Sequence, residues 1–266
     1  MVEITIDGLR FQFEGIPEPI GLFKSLKKLN VGGIYISQLP VFLKGMDQLE
    51  ELILFETLCG LTKQSIEILR SMKNLKKLVL GLNEYSSLPE ELFELTNLTE
   101  LDLSFNYGLS TISESIGKLI NLEKLEIANC ELIKIPESIG KLKKLKYLDL
   151  NRNNYWILDD EWSEDVEYII PASIGNLENL EVLDLSGSGN RQFLGKMILP
   201  DSIGKLRNLK KLNLSNNYLT YLPDSFDHLL NLEELYLDKN NFDKVPDCLV
   251  KLEKNGKLRI IWYPKP

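Results

Sequence analysis

With one histidine in 266 residues, this chain has little of the commonest acid–base side chain. His228 falls in DSFDHLL, far in sequence from Cys59 and Cys130, so no Cys-His or Ser-His pair suited to nucleophilic catalysis is evident. Cysteine is scarce as well. Cys59, Cys130 and Cys248 are odd in number and widely spaced, with no CxxC pair, which speaks against a thiolate metal site and for a reducing, cytoplasmic compartment. Basic residues are outnumbered, 31 Lys and Arg against 39 Asp and Glu, and the net charge of -8 repels phosphate backbones and anionic lipid. Neither nucleic acid nor a membrane surface is expected as a partner. No stretch approaches the roughly 18 apolar residues of a membrane span, and MVEITIDGLR has neither the basic start nor the apolar core of a secretion signal. SGSGN lacks the Lys-Ser/Thr that would follow in a phosphate loop, and the acids of 159–167 lack the D-x-[DN]-x-[DN]-G order of a calcium loop. No catalytic residue, cofactor or metal is expected.

What the chain has in quantity is leucine at fixed spacing. A hexad L-x-x-L-x-L begins at Leu26, Leu49, Leu75, Leu98, Leu122, Leu145, Leu180, Leu209, Leu232 and Leu258, with spacings of 23, 26, 23, 24, 23, 35, 29, 23 and 26. Alternation within the hexad puts its fourth and sixth residues on the buried face of a strand and its fifth on the open face. Most copies continue as in LKKLNLSNNYLTYLPDSFDHLL, with Asn eight residues past the first Leu and Leu-Pro shortly after. Asn83, Asn106, Asn153, Asn217 and Asn240 are then expected to stack as a ladder, each amide bonding backbone groups that the bend leaves unpaired. Cys130 takes the same slot, and Ile34 and Thr57 mark irregular early copies. The recurring S-I-G at Ser115, Ser138, Ser173 and Ser202 is expected to cap a short helical turn on the outer side.

This pattern resembles the leucine-rich repeat family, and most closely its 23-residue intracellular type, found in Ras-suppressor-like, plant Ras-group and bacterial repeat proteins. The resemblance covers about Leu22 to Tyr263. It implies an α/β repeat solenoid, a horseshoe with a parallel concave sheet and short helical turns or irregular segments on the convex side. It also implies a non-catalytic module that binds a protein or peptide. Its alternative is a recognition or regulatory subunit for a signalling enzyme such as a small GTPase or kinase. The chain divides into an N-terminal cap at 1–21, repeats over 22–257 and a capping strand at 258–266. VEITIDGLRFQF reads as a hairpin around Asp7-Gly8, and Pro264 and Pro266 block further pairing, so a whole domain is expected.

The fifth hexad positions give Asn30, Ile53, Val79, Asp102, Glu126, Asp149, Asp184, Asn213, Tyr236 and Trp262. Asp102, Glu126, Asp149 and Asp184 would form an acidic row able to hold a basic segment, with Tyr147 beside it. Lys124, Lys146 and Arg152 are placed to neutralise part of that row, and L-D-L is also an ordinary filling of the motif. Toward the N-terminus Ile53, Phe55, Val79, Leu82 and Phe105 make an apolar patch, unless the irregular segment 57–65 folds over it. Tyr236 and Trp262 would serve as aromatic anchors at the other end.

Two insertions open the array, near 154–168 and 187–198, at the same edge of adjacent repeats. They are expected to touch. The first is acidic and aromatic, the second carries Arg191 and Lys196, and Leu158, Trp162 and Val166 share one side of a short helix. Tyr155, Trp156, Asp160 and Arg191 are the candidates there for contact with a partner.

Overall fold

A computed structural model describes residues 2–6, 15–153, 168–188, 197–253 and 258–262. Its strands are β1 (Val2–Thr5), β2 (Leu26–Asn30), β3 (Glu51–Ile53), β4 (Lys77–Val79), β5 (Glu100–Asp102), β6 (Lys124–Glu126), β7 (Tyr147–Asp149), β8 (Tyr168–Ile169), β9 (Val182–Asp184), β10 (Met197–Ile198), β11 (Lys211–Asn213), β12 (Glu234–Tyr236) and β13 (Arg259–Ile261). Eleven of them form one parallel sheet in the order β1-β2-β3-β4-β5-β6-β7-β9-β11-β12-β13. Sequential order with every neighbour parallel is what a solenoid requires, because each repeat contacts only the next.

The hexad explains the packing. In a typical copy Leu98, Leu101 and Leu103 are buried, and the same three positions in each neighbour extend a single core from Ile16 to Leu252. Convex segments return as 3-10 turns, for example Glu137–Lys141 and Asp201–Lys205, with α-helices only at α1 (Lys63–Ser71) and α2 (Asp247–Glu253) among the described residues. S-I-G keeps these turns close. A Cβ on Gly140 would stand 2.6 Å from the carbonyl oxygen of Ser173 in the next repeat, so the two backbones approach too closely for any side chain.

Those serines do not cap their own turns, contrary to the expectation. Pro136, Pro171 and Pro200 hold the cap position without a side-chain bond. At the first two of these turns the open N–H groups are instead met from the preceding repeat, where Glu114 accepts from Ser138 and Glu137 accepts from Ser173. Only Ser113, which stands where the others have Pro, accepts from its own turn, through Ser115 N–H.

The Asn ladder forms as expected. Asn106 donates to the carbonyls of Leu80 and Leu103 at 3.1 and 2.7 Å and accepts from the N–H groups of Asn83 and Tyr85. Asn83, Asn153, Asn217 and Asn240 repeat the double donation. Cys130 donates its thiol to Leu103, and burial pushes that thiol up to about 12. Ser188, not singled out in the sequence, fills the ladder slot of the repeat starting at Leu180 and donates to Leu150. A second ladder uses the Asn just before the first Leu: Asn97, Asn121, Asn179, Asn208 and Asn231 each donate to a carbonyl of the preceding repeat.

At the start, β1 joins β2 in parallel, with Glu3 opposite Lys28. The Asp7-Gly8 turn lies outside the described residues. At the finish the register differs from the expectation by one residue. Leu235 pairs with Ile260 and Tyr236 with Ile261, so Ile261 holds the open fifth position and Trp262 the inward sixth. A one-residue slip exchanges the faces of a strand. Trp262 accordingly packs on the core, edge-on to Phe242 at 5.8 Å between ring centroids. No helix among the described residues is long and apolar enough to cross a membrane.

Candidate binding face

Register decides which side chains meet on the concave face. Asn30, Ile53, Val79, Asp102, Glu126, Asp149, Asp184, Asn213 and Tyr236 are successive partners across the sheet, a single line running over nine strands. Tyr147 lies in the neighbouring third-position column, on the same face two residues before Asp149.

Charge is arranged differently in the columns. The third-position column alternates in sign from Lys28 to Lys124 and again at Lys211 and Glu234, interrupted by Tyr147 and Val182, and most of its charges pair with each other: Lys28 bonds Glu3 at 2.8 Å, Lys77 bonds Glu100 at 2.9 Å and Lys211 bonds Glu234 at 3.3 Å. The second-position column does the same through Lys27–Glu50, Lys146–Glu123 and Lys210–Glu181. Lys146 is thereby turned away from the acidic row it was expected to neutralise. Among the described residues only Lys124 reaches that row, bonding Glu126 at 2.9 Å with its ammonium 5.0 Å from the Tyr147 ring centre. Arg152 is exposed on the rim turn.

Each Asp of the row also has a local structural bond. Asp102, Asp149 and Asp184 accept from the N–H two residues on, in Ser104, Asn151 and Ser186, and Asn30 and Asn213 do the same. This Asx turn ends the strand and explains why L-D-L is favoured whatever the ligand. Glu126 is one methylene longer, and the N–H of Ala128 goes to Ser104 Oγ instead. The turn uses one oxygen. The charge remains, and it is felt most at Asp149, half-buried in the middle of the row. Burial first, then the charges of Asp184 and Glu126, push its carboxyl from 3.8 up to about 6, against the pull of its bonds from Asn151. Tyr147 is pushed up to about 12 by burial and the same acids.

The apolar end is narrower than expected. Val79 is only 9% exposed and forms floor, not contact surface. Ile53 and Phe55 are half-buried, whereas Phe105 and Tyr107 stand 37% and 44% exposed. Segment 57–65 does not cover these two. It stays in the array, with Thr57 and Cys59 buried and Gly60 bonded to Ser37 of the preceding repeat. At the other end Tyr236 lies on the concave face, its hydroxyl donating to Glu234 and Lys211 poised 5.0 Å from its ring centre. Trp262, inward-facing, leaves that surface.

The insertions leave after Asn153 and Ser188 and return at β8 and β10, which pair in parallel, Tyr168 with Met197 and Ile169 with Ile198. Their returning ends therefore meet. Tyr155, Trp156, Asp160, Trp162 and Arg191 lie outside the described residues. Elsewhere, His228 is exposed on a convex turn 3.5 Å from Asp227, remote from the row. Burial pushes the Cys59 thiol up to about 11 and raises Cys248.

Three repeat models match the chain: Leucine rich repeat at residues 196–242, Leucine Rich repeats (2 copies) at 120–161 and Leucine Rich Repeat at 97–119. Among solved structures it is similar to the LRR ectodomain of the plant membrane receptor kinase GASSHO1/SCHENGEN3 from Arabidopsis thaliana, solved in complex with CASPARIAN STRIP INTEGRITY FACTOR 2. That match has 26% identity and a TM-score of 0.64 over 93% of this chain and 31% of that one. PEPR1, in a structure with AtPEP1, gives 26% and 0.66 over 93% and 33%. An internalin from Listeria monocytogenes, at 16% and 0.56 over 93% and 83%, shares the fold. The chain spans about a third of the length of the first two. The hexads, the parallel sheet, the Asn ladder and these matches make the chain a leucine-rich repeat protein.

Proposed function

We propose that the chain is a non-catalytic protein-binding module whose concave sheet takes a basic protein or peptide segment, with the rim insertions adding selectivity. The observation that carries this is the contrast between columns. Charges of the second and third columns largely pair among themselves, with Lys124 alone of these paired to the row, yet the fifth sets Asp102, Glu126, Asp149 and Asp184 side by side at about 4.8 Å spacing. Like charges in adjacent register destabilise a sheet, so the row works against the stability that the other columns build. A cationic ligand would relieve that repulsion and be steered by the same field. Support comes also from the neighbours, since GASSHO1/SCHENGEN3 and PEPR1 were each solved with a second component bound.

The resemblance to the intracellular repeat type supports, as the alternative, a regulatory subunit for a small GTPase or kinase, and the three buried free thiols support a cytoplasmic setting. The test of the main reading uses labelled hexalysine and two variants of equal charge. Neutralising Asp102, Glu126, Asp149 and Asp184 as amides should abolish salt-sensitive binding. Neutralising exposed Glu18, Glu91, Asp201 and Glu253 off this face should leave it nearly intact. Equal losses in both variants would reduce the interaction to net charge and overturn the proposal.

A further inference from the structure

The residue eight places into each repeat turns the chain off the strand, and in nine copies its φ is positive: Gly33, Glu56, Leu82, Phe105, Asn129, Arg152, Gly187, Asn216 and Lys239 lie between 52° and 73° on this rim, with Gly33 and Phe105 at 73° and 63°. Gly and Asn adopt this conformation readily, while a bulky L-residue is strained there by about 1–2 kcal/mol. Against that background Leu82 and Phe105 are costly choices in consecutive repeats. Phe105 is also exposed, so its ring does not repay the strain by deep burial.

Three rings meet at this point. Phe55 stands edge-on to Phe105 at 6.4 Å between centroids, and Phe105 stands edge-on to Tyr107 at 6.4 Å. Gly81 makes room for the first ring, because a Cβ there would sit 3.0 Å from Phe55 Cδ2. The aromatic run therefore crosses from the repeat of β3 to that of β5 along the rim of the concave face. It ends in the repeat whose fifth position is Asp102, the first acid of the row.

Resting on the reading of the row given above, we infer that this aromatic run is the anchor site for one large apolar side chain of a partner segment whose following residues are basic. Charge complementarity fixes the occupant. Glu126, Asp149 and Asp184 lie one, two and three strands beyond Asp102, about 5, 10 and 14 Å away. An extended chain rises about 3.3 Å per residue, so Lys or Arg two to four places after the anchor reach the acids in turn. A second copy of this chain, at net charge -8, brings the wrong sign to the same face.

Two labelled probes test this: hexalysine, and a peptide of one Trp followed by five Lys, each titrated by fluorescence anisotropy. With the unaltered protein the Trp probe should bind about tenfold more tightly. Phe105→Asn should bring that ratio to about one while leaving hexalysine affinity unchanged, and its melting temperature should hold or rise because Asn accepts positive φ. Phe105→Gly should lose the same preference. Equal affinity of the two probes for the unaltered protein, or a preference that survives in both variants, would overturn the anchor and leave the acidic row standing. Failure of the Trp probe alone would likewise overturn only the anchor, whereas failure of both probes to bind would remove the row reading and this inference together.

Discussion

Replacing Asp149 by Asn should make the protein more stable at neutral pH, although the carboxylate it removes accepts structural bonds. That carboxyl ionises at about 6 in the fold against 3.8 for the free group, with burial as the leading cause. The sign follows from proton binding. Below 3.8 both folded and unfolded chains hold the proton and there is no penalty. As pH rises through 3.8 the unfolded chain ionises freely while the folded one resists, so stability falls until about pH 6 and the penalty is complete above it. At full strength this difference corresponds to about 3 kcal/mol. Asp149 is partly open to solvent, and screening reduces the figure to about 1 kcal/mol. Asn keeps an Oδ1 acceptor for the Asn151 N–H, now bonded at 2.9 Å. Thermal melts of both proteins at pH 7.5 and pH 4 should show Asp149→Asn melting about 2–4 °C higher at the first and level with the parent at the second. A variant no more stable at pH 7.5, or one whose gain persists at pH 4, would refute the argument that the charge of this row is held against the interests of the fold.

Other outcomes follow from the same geometry. Asn106→Leu removes four bonds and leaves buried carbonyls and N–H groups unpaired, and urea denaturation should show a loss of about 3–5 kcal/mol. Gly140→Ala forces a methyl toward the Ser173 carbonyl, 2.6 Å away, and should cost about 1–3 kcal/mol by the same assay, whereas Ala at Gly108, whose Cβ would stand 3.5 Å from Ser86 Cβ, makes only ordinary contact. Deleting 155–166 should shift the melting temperature little, because β7 pairs directly with β9, Tyr147 to Val182, and the sheet bypasses the insertion.

Much of this molecule is legible in its residue order alone, and the reason is periodicity. Nine hexads fall in the observed register because leucine at the first, fourth and sixth places admits one alternation. The tenth does not, since Leu258–Ile261–Tyr263 and Ile260–Trp262 fit a period of two equally well and only pairing with β12 separates them. The left-handed rim is illegible because Glu56, Phe105, Arg152 and Lys239 carry no signal for positive φ. For the acidic row, the hexad spacing names the residues and their neighbours in space. It does not reveal that Lys146 is committed to Glu123, which depends on the second-position column pairing along its own length. The serine caps fail for a similar reason, as the donors they were expected to satisfy are met from the preceding repeat.

The central claim is that the concave row receives positive charge, and Asp149 reports on it directly. Its side-chain carboxyl can be titrated by carbon NMR with and without saturating hexalysine. A cation seated on the row favours the ionised form, so the midpoint should fall from about 6 toward the ordinary carboxylate range when the peptide is present. A midpoint that stays at about 6 while hexalysine is demonstrably bound would place the ligand elsewhere and contradict the account.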